Sequence, residues 1–584
     1  MDFLENVVTT FNDGVWSWIL PWLLIAAGLF FGIRTALVQV RMVPDMFRAV
    51  VERPKGEGRD EDEDYGGISA FKAFTISAAS RVGTGNVAGV AVAISVGGPG
   101  AVFWMWLIAI LGGATAFIES TLAQLWKVRD GNGYRGGPAY YMKRGLGWGP
   151  LGVLFSIAIA FTFGLVYNAF QTNAIADAVS FSFDRDDTMF RSIIGIVIAV
   201  VAGLIIFGGV NRIANITQVI VPFMAVAYLL IGGFVVITNF DKVPGMIGDI
   251  VGHALGIKEI AGAGLGAAMM KGIQRGLFSN EAGEGSAPNA AATAAVSHPV
   301  KQGLVQTLGV YFDTLVVCTI TAFIILLGPE IAYGAEAEGV SLTQAALSSE
   351  VGEWGIHFVS FILFFLAFSS ILGNYYLAES NLEYLTQSKP ALVIFRLVVL
   401  FFVWFGAVGS LPLVFALADT GAATMVILNI LAIVPLSGVA IKLLKNYNEQ
   451  RSHGIDPVFH RDMMPELKGV ECWDGSDPVT RRSEEDREGI GRHDRGSQQS
   501  GALELRGCAG RDGAAQPILV DAPVVVLLAV DQRDGDLLGI LRHEIGVLEH
   551  VDLLHLGARL RGDLLDDGAR VVAQVAAGLG DEEI

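Results

Sequence analysis

Ser80-Arg81-Val82-Gly83-Thr84-Gly85-Asn86 interrupts an apolar stretch at residues 69–97, and Phe278-Ser279-Asn280-Glu281-Ala282-Gly283-Glu284-Gly285-Ser286 interrupts another at residues 261–297. Both interruptions combine glycines with polar side chains inside segments long enough to cross a membrane. Unpaired backbone groups cannot face lipid, so irregular chain at membrane depth lines a cavity within the protein. Paired interruptions in the two halves of a membrane protein are typical of a transporter's binding site.

The composition predicts an all-α membrane protein. The 584 residues are 52% hydrophobic and 17% charged, with a mean hydropathy of +0.52, and apolar segments of 18 or more residues recur. The first apolar run follows acidic rather than basic residues, so we interpret it as a retained helix rather than a signal peptide. The net charge of −18 argues against a nucleic-acid partner. Three cysteines show neither metal nor disulfide spacing.

The hydrophobic pattern predicts about eleven transmembrane helices: one extra N-terminal helix, then five, then five. Since an interrupted helix opens each group of five, the two groups are expected to form an inverted repeat. The predicted spans are about 14–38, 69–97, 99–126, 149–179, 191–209, 213–238, 261–297, 301–328, 353–385, 390–410 and 412–445. The predicted regions are 1–68 (extra helix and acidic cytoplasmic loop), 69–239 (first repeat), 261–445 (second repeat), 446–473 (cytoplasmic C-terminal segment) and 474–584 (an anomalous tail).

The positive charges predict the orientation in the membrane. Lys and Arg concentrate at residues 41–59 and 127–144, which fall on the same side in the eleven-span count, whereas the opposite loop at 329–352 contains neither. Cytoplasmic loops carry the excess of Lys and Arg. We therefore expect the N-terminus outside the cell and the C-terminus in the cytoplasm.

The first interruption is suited to a carboxylate. Gly83 and Gly85 permit an unwound backbone and the close approach of a ligand. The half-helix that begins there directs amide donors and a positive dipole end into the gap. Thr84 and Asn86 add a hydroxyl and an amide oxygen. Close packing of helices through the glycines is the simpler alternative.

The second interruption is more polar than the first. Ser279 and Asn280 place oxygens just before the turn, and Gly283 again permits unwinding. Charged residues here are too costly for a helix surface in lipid. Two roles stay open for Glu281: it binds a cation or lines the pathway, or it is the structural partner of Arg275.

Further polar side chains lie inside apolar spans. Asp313 is a candidate for cation coupling or gating, with a buried hydrogen bond to a neighbouring helix as the alternative. Ser370 and Asn374 are one turn apart and share a helix face, although serines commonly bond back to their own helix. Gln171 lies in a polar cluster of the third span of the first repeat. Glu119 is expected near a cytoplasmic helix end, where contact with water is the simpler interpretation.

Enzymatic activity and ATP drive are not predicted. The chain has no nucleophile–base constellation that can be argued and no phosphate-binding Gly-Lys-Ser/Thr motif. The isolated histidines at 253, 298 and 357 lack metal-ligand spacing.

Several motifs in sequence order resemble the alanine or glycine:cation symporter family, the sodium:alanine symporters. They are Arg81-Val82-Gly83-Thr84-Gly85-Asn86, Gly97-Gly98-Pro99-Gly100-Ala101-Val102-Phe103-Trp104-Met105-Trp106, Tyr134-Arg135-Gly136-Gly137-Pro138-Ala139-Tyr140-Tyr141-Met142, Arg275-Gly276-Leu277-Phe278-Ser279-Asn280-Glu281-Ala282-Gly283 and Asp313-Thr314-Leu315-Val316-Val317-Cys318. The resemblance extends to about Trp473. It implies a LeuT-like five-plus-five fold with an extra first helix, and sodium-driven, sometimes proton-driven, uptake of alanine or glycine.

Val82-Gly83-Thr84-Gly85-Asn86 is also similar to the Val-Gly-x-Gly-Asn motif of neurotransmitter:sodium symporters. That similarity implies that the backbone at Thr84 and Gly85 binds the substrate carboxylate. Arg81 stands where those relatives have a small residue, so we assign Asn86 to the substrate rather than to their first sodium site. The sodium ligands implied by this fold are Ala79, Val82, Ser369 and Ser370.

Together these features predict a multi-pass protein of the cytoplasmic membrane that imports a small neutral amino acid with sodium by alternating access. The substrate ammonium is expected at oxygens of the second interruption, and sodium is the coupling ion, with no other cofactor. The alternatives are a proton-coupled symporter, an ion channel and a membrane amino-acid sensor. Two discontinuous helices favour the transporter over the channel. The sequence predicts no oligomeric state.

The tail at 474–584 differs from the rest of the chain. It contains no Phe, Trp, Tyr, Lys, Met or Asn. A GC-rich gene translated in a shifted frame gives such a composition, and aromatic side chains normally fill much of a folded core. We therefore expect the tail to be dispensable; a small acidic regulatory domain is the alternative.

Overall fold

The structure is a computed structural model that describes residues 10, 12, 14–52, 67–131, 133–258, 264–334, 339–409, 411–475 and 479–480. The predicted acidic loop at 53–66 and nearly all of the predicted tail at 474–584 lie outside the described residues. Apart from loops, turns and an isolated bridge between Ile68 and Ala294, the described residues form helices and one short hairpin, in which Val128–Asp130 (β1) pairs antiparallel with Gly133–Arg135 (β2).

The helices of the first half begin at the extra N-terminal segment. They are α1 Leu20–Arg34, α2 Val38–Arg41, α3 Val43–Val51, α4 Ala70–Arg81, α5 Val90–Gly97, α6 Gly100–Leu125, α7 Pro138–Arg144, α8 Gly149–Phe161, α9 Asn168–Phe183, α10 Thr188–Ile206, α11 Val210–Thr238 and α12 Val243–Ala254. Two π-helical segments join these elements, Gly85–Gly89 before α5 and Thr162–Tyr167 between α8 and α9.

The second half also consists of helices, two of which are joined by a π-helical segment. Its helices are α13 Leu265–Asn280, α14 Ala287–Ala292, α15 Pro299–Val310, α16 Thr319–Leu327, α17 Val340–Val351, α18 Trp354–Leu385, α19 Lys389–Val408 and α20 Leu411–Ser452, with a short 3₁₀ turn at Arg461–Met463. A third π-helical segment, Tyr311–Cys318, joins α15 to α16.

Eight helices of the described residues are long and apolar enough to cross a membrane. Two shorter apolar helices lie at Leu20–Arg34 and Gly85–Gly97. These lengths make the chain a multi-pass membrane protein. The predicted total of eleven spans stays a prediction, because the three remaining predicted spans are short or interrupted. The inverted five-plus-five repeat, and with it the division at 69–239 and 261–445, likewise stays a prediction.

The first helix ends before the predicted limit of 38. Its predicted start at about 14 agrees with the structure, because residues 14–18 are helical and only a turn at Ile19 separates them from α1. Within the described residues, α1 runs from Leu20 to Arg34, and it stops because Ala36 and Leu37 adopt left-handed conformations, with φ of 52° and 54°. Left-handed residues cannot continue a right-handed helix. The chain then turns into α2 and α3.

The helices sort into an interior set and a peripheral set. In their most apolar stretches, 67% of α6 and 61% of α18 is buried, against 28% of α10 and 22% of α19. The peripheral helices expose large apolar side chains, such as Leu204 and Phe401, as surfaces that face lipid do. The interrupted segments are in contact with the interior set.

Close helix packing positions the second interruption. Gly272 and Gly276 of α13 lie one turn apart against α6, and a Cβ at Gly276 would approach Met105 Cα to 3.2 Å. Small residues four apart allow two helix backbones to approach closely in a membrane. Because α13 ends four residues after Gly276, this contact places Asn280 and the turn after it deep in the protein.

The C-terminal segment at 446–473 folds back onto helix ends. Phe459 is fully buried, and its N–H donates to the Ser297 carbonyl at 2.8 Å, just before α15. The indole N–H of Trp473 donates to the Gln124 carbonyl at the end of α6, over 3.2 Å. Lys301 of α15 pairs with Asp456 at 2.7 Å. This segment is therefore packed against the end of α6 and the start of α15.

Candidate functional site

The first interruption lies between Arg81, where α4 ends, and Gly85, where the π-helical segment begins. The Gly83 N–H donates to Asn86 Oδ1 at 2.8 Å. The Thr84 N–H and hydroxyl both donate to Gln171 Oε1, at 3.1 and 2.6 Å. The predicted interruption is present as a break in the helix at Val82 and Gly83, and helical geometry resumes at Thr84. Side-chain oxygens accept from the backbone donors of Gly83 and Thr84.

Gly83 is required by its surroundings. A Cβ at this position would approach Gln171 Oε1 to 3.0 Å and would overlap the Ser370 hydroxyl. Side chains from α9 and α18 therefore converge on the unwound backbone. Only glycine leaves room for them.

The second interruption follows Asn280, where α13 ends. Three residues of the turn have positive φ: Glu281 at 55°, Gly283 at 93° and Gly285 at 78°. Glycine adopts this conformation freely, whereas the left-handed glutamate is unusual and such residues cluster at functional sites. The Asn280 amide oxygen accepts from the Ala282 N–H at 3.0 Å and stabilises the turn.

The two interruptions are in contact. A Cβ at Gly85 would lie only 3.2 Å from Ser279 Cα. The Ser80 hydroxyl lies 2.7 Å from Glu281 Oε1, and the other carboxylate oxygen of Glu281 accepts from the Ser286 hydroxyl at 2.6 Å. Residues about 200 positions apart in the sequence thus form one polar centre.

Asp313 joins the two interruptions from a third segment. It is fully buried in the π-helical segment Tyr311–Cys318. Its Oδ1 accepts from Asn86 Nδ2 at 2.7 Å, and its Oδ2 accepts from the hydroxyls of Ser279 at 2.7 Å and Thr314 at 2.9 Å. The buried hydrogen bonds to neighbouring segments that we weighed as an alternative are therefore present, and they connect Asp313 to both predicted substrate segments.

The serines of α18 bond back to their own helix, and Ser370 also lies close to the first interruption. The Ser369 and Ser370 hydroxyls bond back to the Leu366 carbonyl of their own helix, at 2.8 and 3.1 Å. The Ser370 hydroxyl also lies 3.5 Å from the Val82 carbonyl oxygen. A Cβ at Gly373 would come within 3.3 Å of the Ala79 carbonyl carbon. The four predicted sodium ligands thus belong to segments in direct contact.

Asn374 lies one turn further along α18 than Ser370. Its Oδ1 is 2.8 Å from the Ser80 hydroxyl, so Ser80 is shared between Asn374 and Glu281. The Nδ2 atoms of Asn374 and Asn280 are buried without a hydrogen-bond partner among the described residues. Two amide donors next to the interruptions are thus left for other acceptors.

The proposed pairing of Glu281 with Arg275 is wrong. The Arg275 guanidinium pairs with Asp419 of α20 at 2.9 Å, and both side chains are nearly inaccessible to solvent. Gln274 Nε2 donates to the same Asp419 oxygen at 2.8 Å. Arg275 therefore fixes α13 against α20, and Glu281 points to Ser80 and Ser286 instead.

Glu119 is not in contact with water, contrary to the expectation from its place near a helix end. It is fully buried, its Oε1 accepts from the Gly283 N–H at 3.2 Å, and its Oε2 accepts from Asn429 Nδ2 at 2.7 Å. Asn429 Nδ2 also donates to the Gly283 carbonyl at 2.9 Å. Both side chains hold the second interruption. Asn429 was missed in the sequence, where a lone asparagine in the apolar span of α20 was the available signal.

Arg81 is also buried in the polar centre. It is 2% exposed, and its Nη1 donates to the Gln306 carbonyl at 3.3 Å. Its Nε and Nη2 have no hydrogen-bond partner among the described residues. A buried guanidinium with unmatched donors raises the local positive potential, which favours an anion nearby.

The predicted site is enclosed. None of the predicted substrate, sodium or coupling side chains is more than 4% exposed. In the described part of the chain, His, Cys, Asp and Glu side chains form no group of three that could hold a metal ion. The oxygens gathered here are hydroxyl, amide, carboxylate and backbone carbonyl oxygens, the ligand types that hard cations prefer.

Two interrupted helices that meet at an enclosed polar centre, inside a multi-pass membrane protein, define a membrane transporter. The sequence comparisons agree with this class: the model of the sodium:alanine symporter family matches residues 1–461. The chain belongs to the sodium:alanine symporter family, and the predicted resemblance is confirmed.

Three relatives from Bacillus subtilis (strain 168) illustrate the likeness. The amino-acid carrier protein AlsT is 48% identical over 81% of this chain and 98% of its own length. The probable sodium/glutamine symporter GlnT is 47% identical over 82% of this chain and 98% of its own length. The putative sodium/proton-dependent alanine carrier protein YrbD is 41% identical over 81% of this chain and 98% of its own length.

Proposed function

We propose that this protein imports a small neutral amino acid, alanine or glycine, together with sodium by alternating access. The observation that supports this most directly is the meeting of the two interruptions, which Asp313 joins through hydrogen bonds to Asn86 and Ser279. The naming of AlsT and YrbD as amino-acid and alanine carriers supports the substrate class.

The substrate carboxylate binds at the unwound backbone of Gly83, Thr84 and Gly85. N–H groups at the start of a half-helix, with its positive dipole end, attract an anion. Here the Gly83 and Thr84 N–H groups donate to Asn86 and Gln171, and they become available to a carboxylate when those side chains move. The ammonium group binds oxygens contributed by Asn86, Ser279 and the turn that includes Asn280 and Gly283. Together these residues enclose a zwitterion between opposite partial charges, and Gln171 and Asn374 line the same centre.

A wall of aromatic rings limits the size of the substrate. The Phe278 ring lies 4.8 Å from the Phe170 ring and 5.0 Å from the Tyr167 ring, measured between centroids. Phe278 Cδ1 would also lie 3.4 Å from a Cβ at Gly85. Packed rings next to the unwound segment favour a side chain no larger than a methyl group.

Sodium binds oxygens of Ala79, Val82, Ser369 and Ser370. The distance of 3.5 Å between the Ser370 hydroxyl and the Val82 carbonyl supports this assignment, because one ion can bridge two such oxygens. Since Val82 adjoins Gly83, the ion and the carboxylate stabilise the same unwound segment. Asp313 and Glu281, which connect that segment to the second interruption, transmit binding to the other half of the protein.

In the proposed orientation the N-terminus lies outside the cell and the C-terminus lies in the cytoplasm. In the proposed fold, a LeuT-like five-plus-five arrangement follows the extra first helix. The concentration of Lys and Arg at 41–59 and 127–144 supports this orientation. The paired interruptions at Val82–Thr84 and Glu281–Ser286 support the repeat.

Proton coupling is the second candidate. Buried carboxylates at Glu119, Glu281 and Glu284 favour it, because an intramembrane acid can carry a proton. The name of YrbD, a sodium/proton-dependent carrier, is consistent with either ion.

Uptake of labelled alanine into proteoliposomes distinguishes the two ions. With sodium higher outside, alanine should accumulate above its external concentration, and dissipating the sodium gradient should abolish accumulation. Accumulation driven equally well by a proton gradient without sodium would contradict sodium coupling and retain symport. Flux that only equilibrates alanine under every gradient would indicate a channel.

A further inference from the structure

We infer that Gln171 Oε1 occupies the position of a substrate carboxylate oxygen and competes with the substrate, so that it lowers the apparent affinity of the site; this inference rests on the proposed function. The Thr84 N–H and hydroxyl both donate to one oxygen, Gln171 Oε1, at 3.1 and 2.6 Å. These are donors of the segment that binds the carboxylate. The side-chain amide oxygen therefore lies where a carboxylate oxygen of the substrate has to bind.

The surroundings hold this oxygen against the unwound backbone. Gln171 is only 4% exposed, and its Oε1 would be 3.0 Å from a Cβ at Gly83. Substrate and amide oxygen cannot occupy this space together. The neighbouring donor, the Gly83 N–H, is similarly satisfied by Asn86 Oδ1 at 2.8 Å.

The chain offers a way for Gln171 to move without unfolding. Its side chain has three rotatable bonds, and it lies in α9 four residues after the π-helical segment Thr162–Tyr167. Such segments mark places where helix geometry is adaptable and functional. Rotation of the side chain exposes both Thr84 donors and leaves the helix intact.

The charge of the ligand determines how much binding free energy it gains when it displaces Gln171. Hydrogen bonds to a carboxylate are roughly twice as strong as those to a neutral amide. A free amino acid therefore replaces Gln171 Oε1 with a net gain. An amino-acid amide, whose own carbonyl is no better an acceptor than Gln171, gains nothing. Gln171 thus lowers the affinity of every ligand at this position by a common factor, and a charged carboxylate recovers that cost.

The test is the sign of the change in alanine affinity when the competing oxygen is removed. Q171M keeps the length of the side chain without an acceptor, and Q171A removes it. Calorimetric titration of purified protein at saturating sodium should give a dissociation constant for alanine that is lower by about two- to tenfold, the net effect of roughly one hydrogen bond. Binding of alaninamide should improve by the same factor as binding of alanine, because both ligands displace the same side chain.

N173A is the matched control. Asn173 lies on the same helix, is fully buried, and donates to the Gly406 and Gly409 carbonyls rather than to the first interruption. The N173A variant should have a lower melting temperature than the wild type and should not bind alanine more tightly. A melting temperature of Q171M close to that of the wild type would exclude a general loss of structure as the cause of a changed affinity.

The outcomes separate this inference from the proposed function. A tenfold weaker affinity in Q171M and Q171A would show that Gln171 binds the substrate directly, and an unchanged affinity would show that it does not compete. Either result overturns the inference while wild-type binding of alanine upholds the function. A wild-type protein that binds neither alanine nor glycine would contradict both.

Discussion

Asp313 carries more connections between separate segments than any other side chain predicted in the site. Its two oxygens accept from Asn86 of the first interruption, from Ser279 of the second and from Thr314 beside it. A buried carboxylate is stable only when such donors compensate for the loss of water. Because two of those donors belong to the proposed substrate segments, any relative movement of the segments changes the environment of Asp313.

Replacing Asp313 by Asn should reduce alanine uptake at least tenfold and leave membrane insertion intact. An amide NH₂ group in place of Oδ1 would face the Asn86 Nδ2 donor, and in place of Oδ2 it would force the Ser279 and Thr314 hydroxyls to accept instead of donate. In either orientation the charge-assisted hydrogen bonds are lost, at a cost of about 1–3 kcal/mol. Initial uptake rates across a range of sodium concentrations measure the effect. Asp249→Asn, at an exposed carboxylate of α12, is the control. Wild-type kinetics for Asp313→Asn would assign this residue to structure alone.

Gly85→Val should abolish alanine binding. A Cβ at Gly85 already approaches Ser279 Cα to 3.2 Å, so branching at that carbon forces the interruptions apart. Gly89 provides the control within the same π-helical segment, because nothing lies within 4 Å of a Cβ there and Gly89→Ala should bind normally. Binding of labelled alanine to purified variants is the measurement. Normal affinity in a folded Gly85→Val protein would place the substrate elsewhere.

At the scale of elements, the long helices could be predicted and the short ones could not. The predicted span 353–385 corresponds to Trp354–Leu385, because continuous apolar length determines a membrane helix. The amphipathic helix α3, together with α12 and α17, is too short for that signal. At the other extreme, α20 continues past the predicted end at 445 to Ser452, since polar residues can extend a helix beyond the lipid.

The interruptions were predictable, but the partners of their side chains were not. Glycines and polar residues inside apolar stretches located the breaks after Arg81 and Asn280. The ion pair of Arg275 with Asp419 joins positions 144 residues apart, and no local pattern encodes it. The π-helical segments escaped prediction as well, because one residue's difference in hydrogen-bond spacing leaves the apolar pattern almost unchanged.

The start of α15 should be sensitive to acid. His298 is fully buried, its Nδ1 accepts from the Val300 N–H at 3.2 Å, and its Nε2 lies 3.2 Å from Asn446 Oδ1. Burial lowers the pKa of His298 from 6.5 to about 3. The unfolded chain therefore binds a proton before the folded protein does. Stability is fully present above about pH 6.5 and is lost progressively as the pH falls towards 3.

His298→Asn tests this acid sensitivity, because Asn keeps a side-chain acceptor for the helix start and does not titrate. Between pH 6.5 and pH 4, the free energy of unfolding should fall less steeply in the variant than in the wild type, by up to about 1.4 kcal/mol per pH unit. Melting temperatures in detergent across that range provide the measurement. His357→Asn, at an exposed position of α18, serves as control. Parallel pH profiles for His298→Asn and the wild type would exclude His298 as the source.

At the scale of the whole molecule, the C-terminal segment belongs to the folded transporter. Phe459 and Trp473 are almost completely buried, and Trp473 is in contact with the end of α6 through Gln124. Asp456 forms an ion pair with Lys301 of α15. The boundary between the transporter and the anomalous tail therefore lies beyond Trp473.

Two truncations should behave differently. Ending the chain after Thr480 removes only residues outside the described part and should leave insertion and alanine uptake intact. Ending it after Ile455 also removes Phe459 and Trp473, and loss of a large buried aromatic side chain typically costs about 3–5 kcal/mol. The shorter protein should melt at a clearly lower temperature. If the chain that ends at Thr480 inserts and fails to transport, the tail is a functional domain.

The central claim is that the amino acid binds between the two interruptions. A structure of the purified protein determined with alanine and sodium tests it most directly. We predict density for alanine between Gly83–Gly85 and the segment from Ser279 to Gly283, with its carboxylate at the Thr84 N–H and with Gln171 rotated away. Density for alanine at another place in the protein, with Gln171 still bonded to Thr84, would contradict the account.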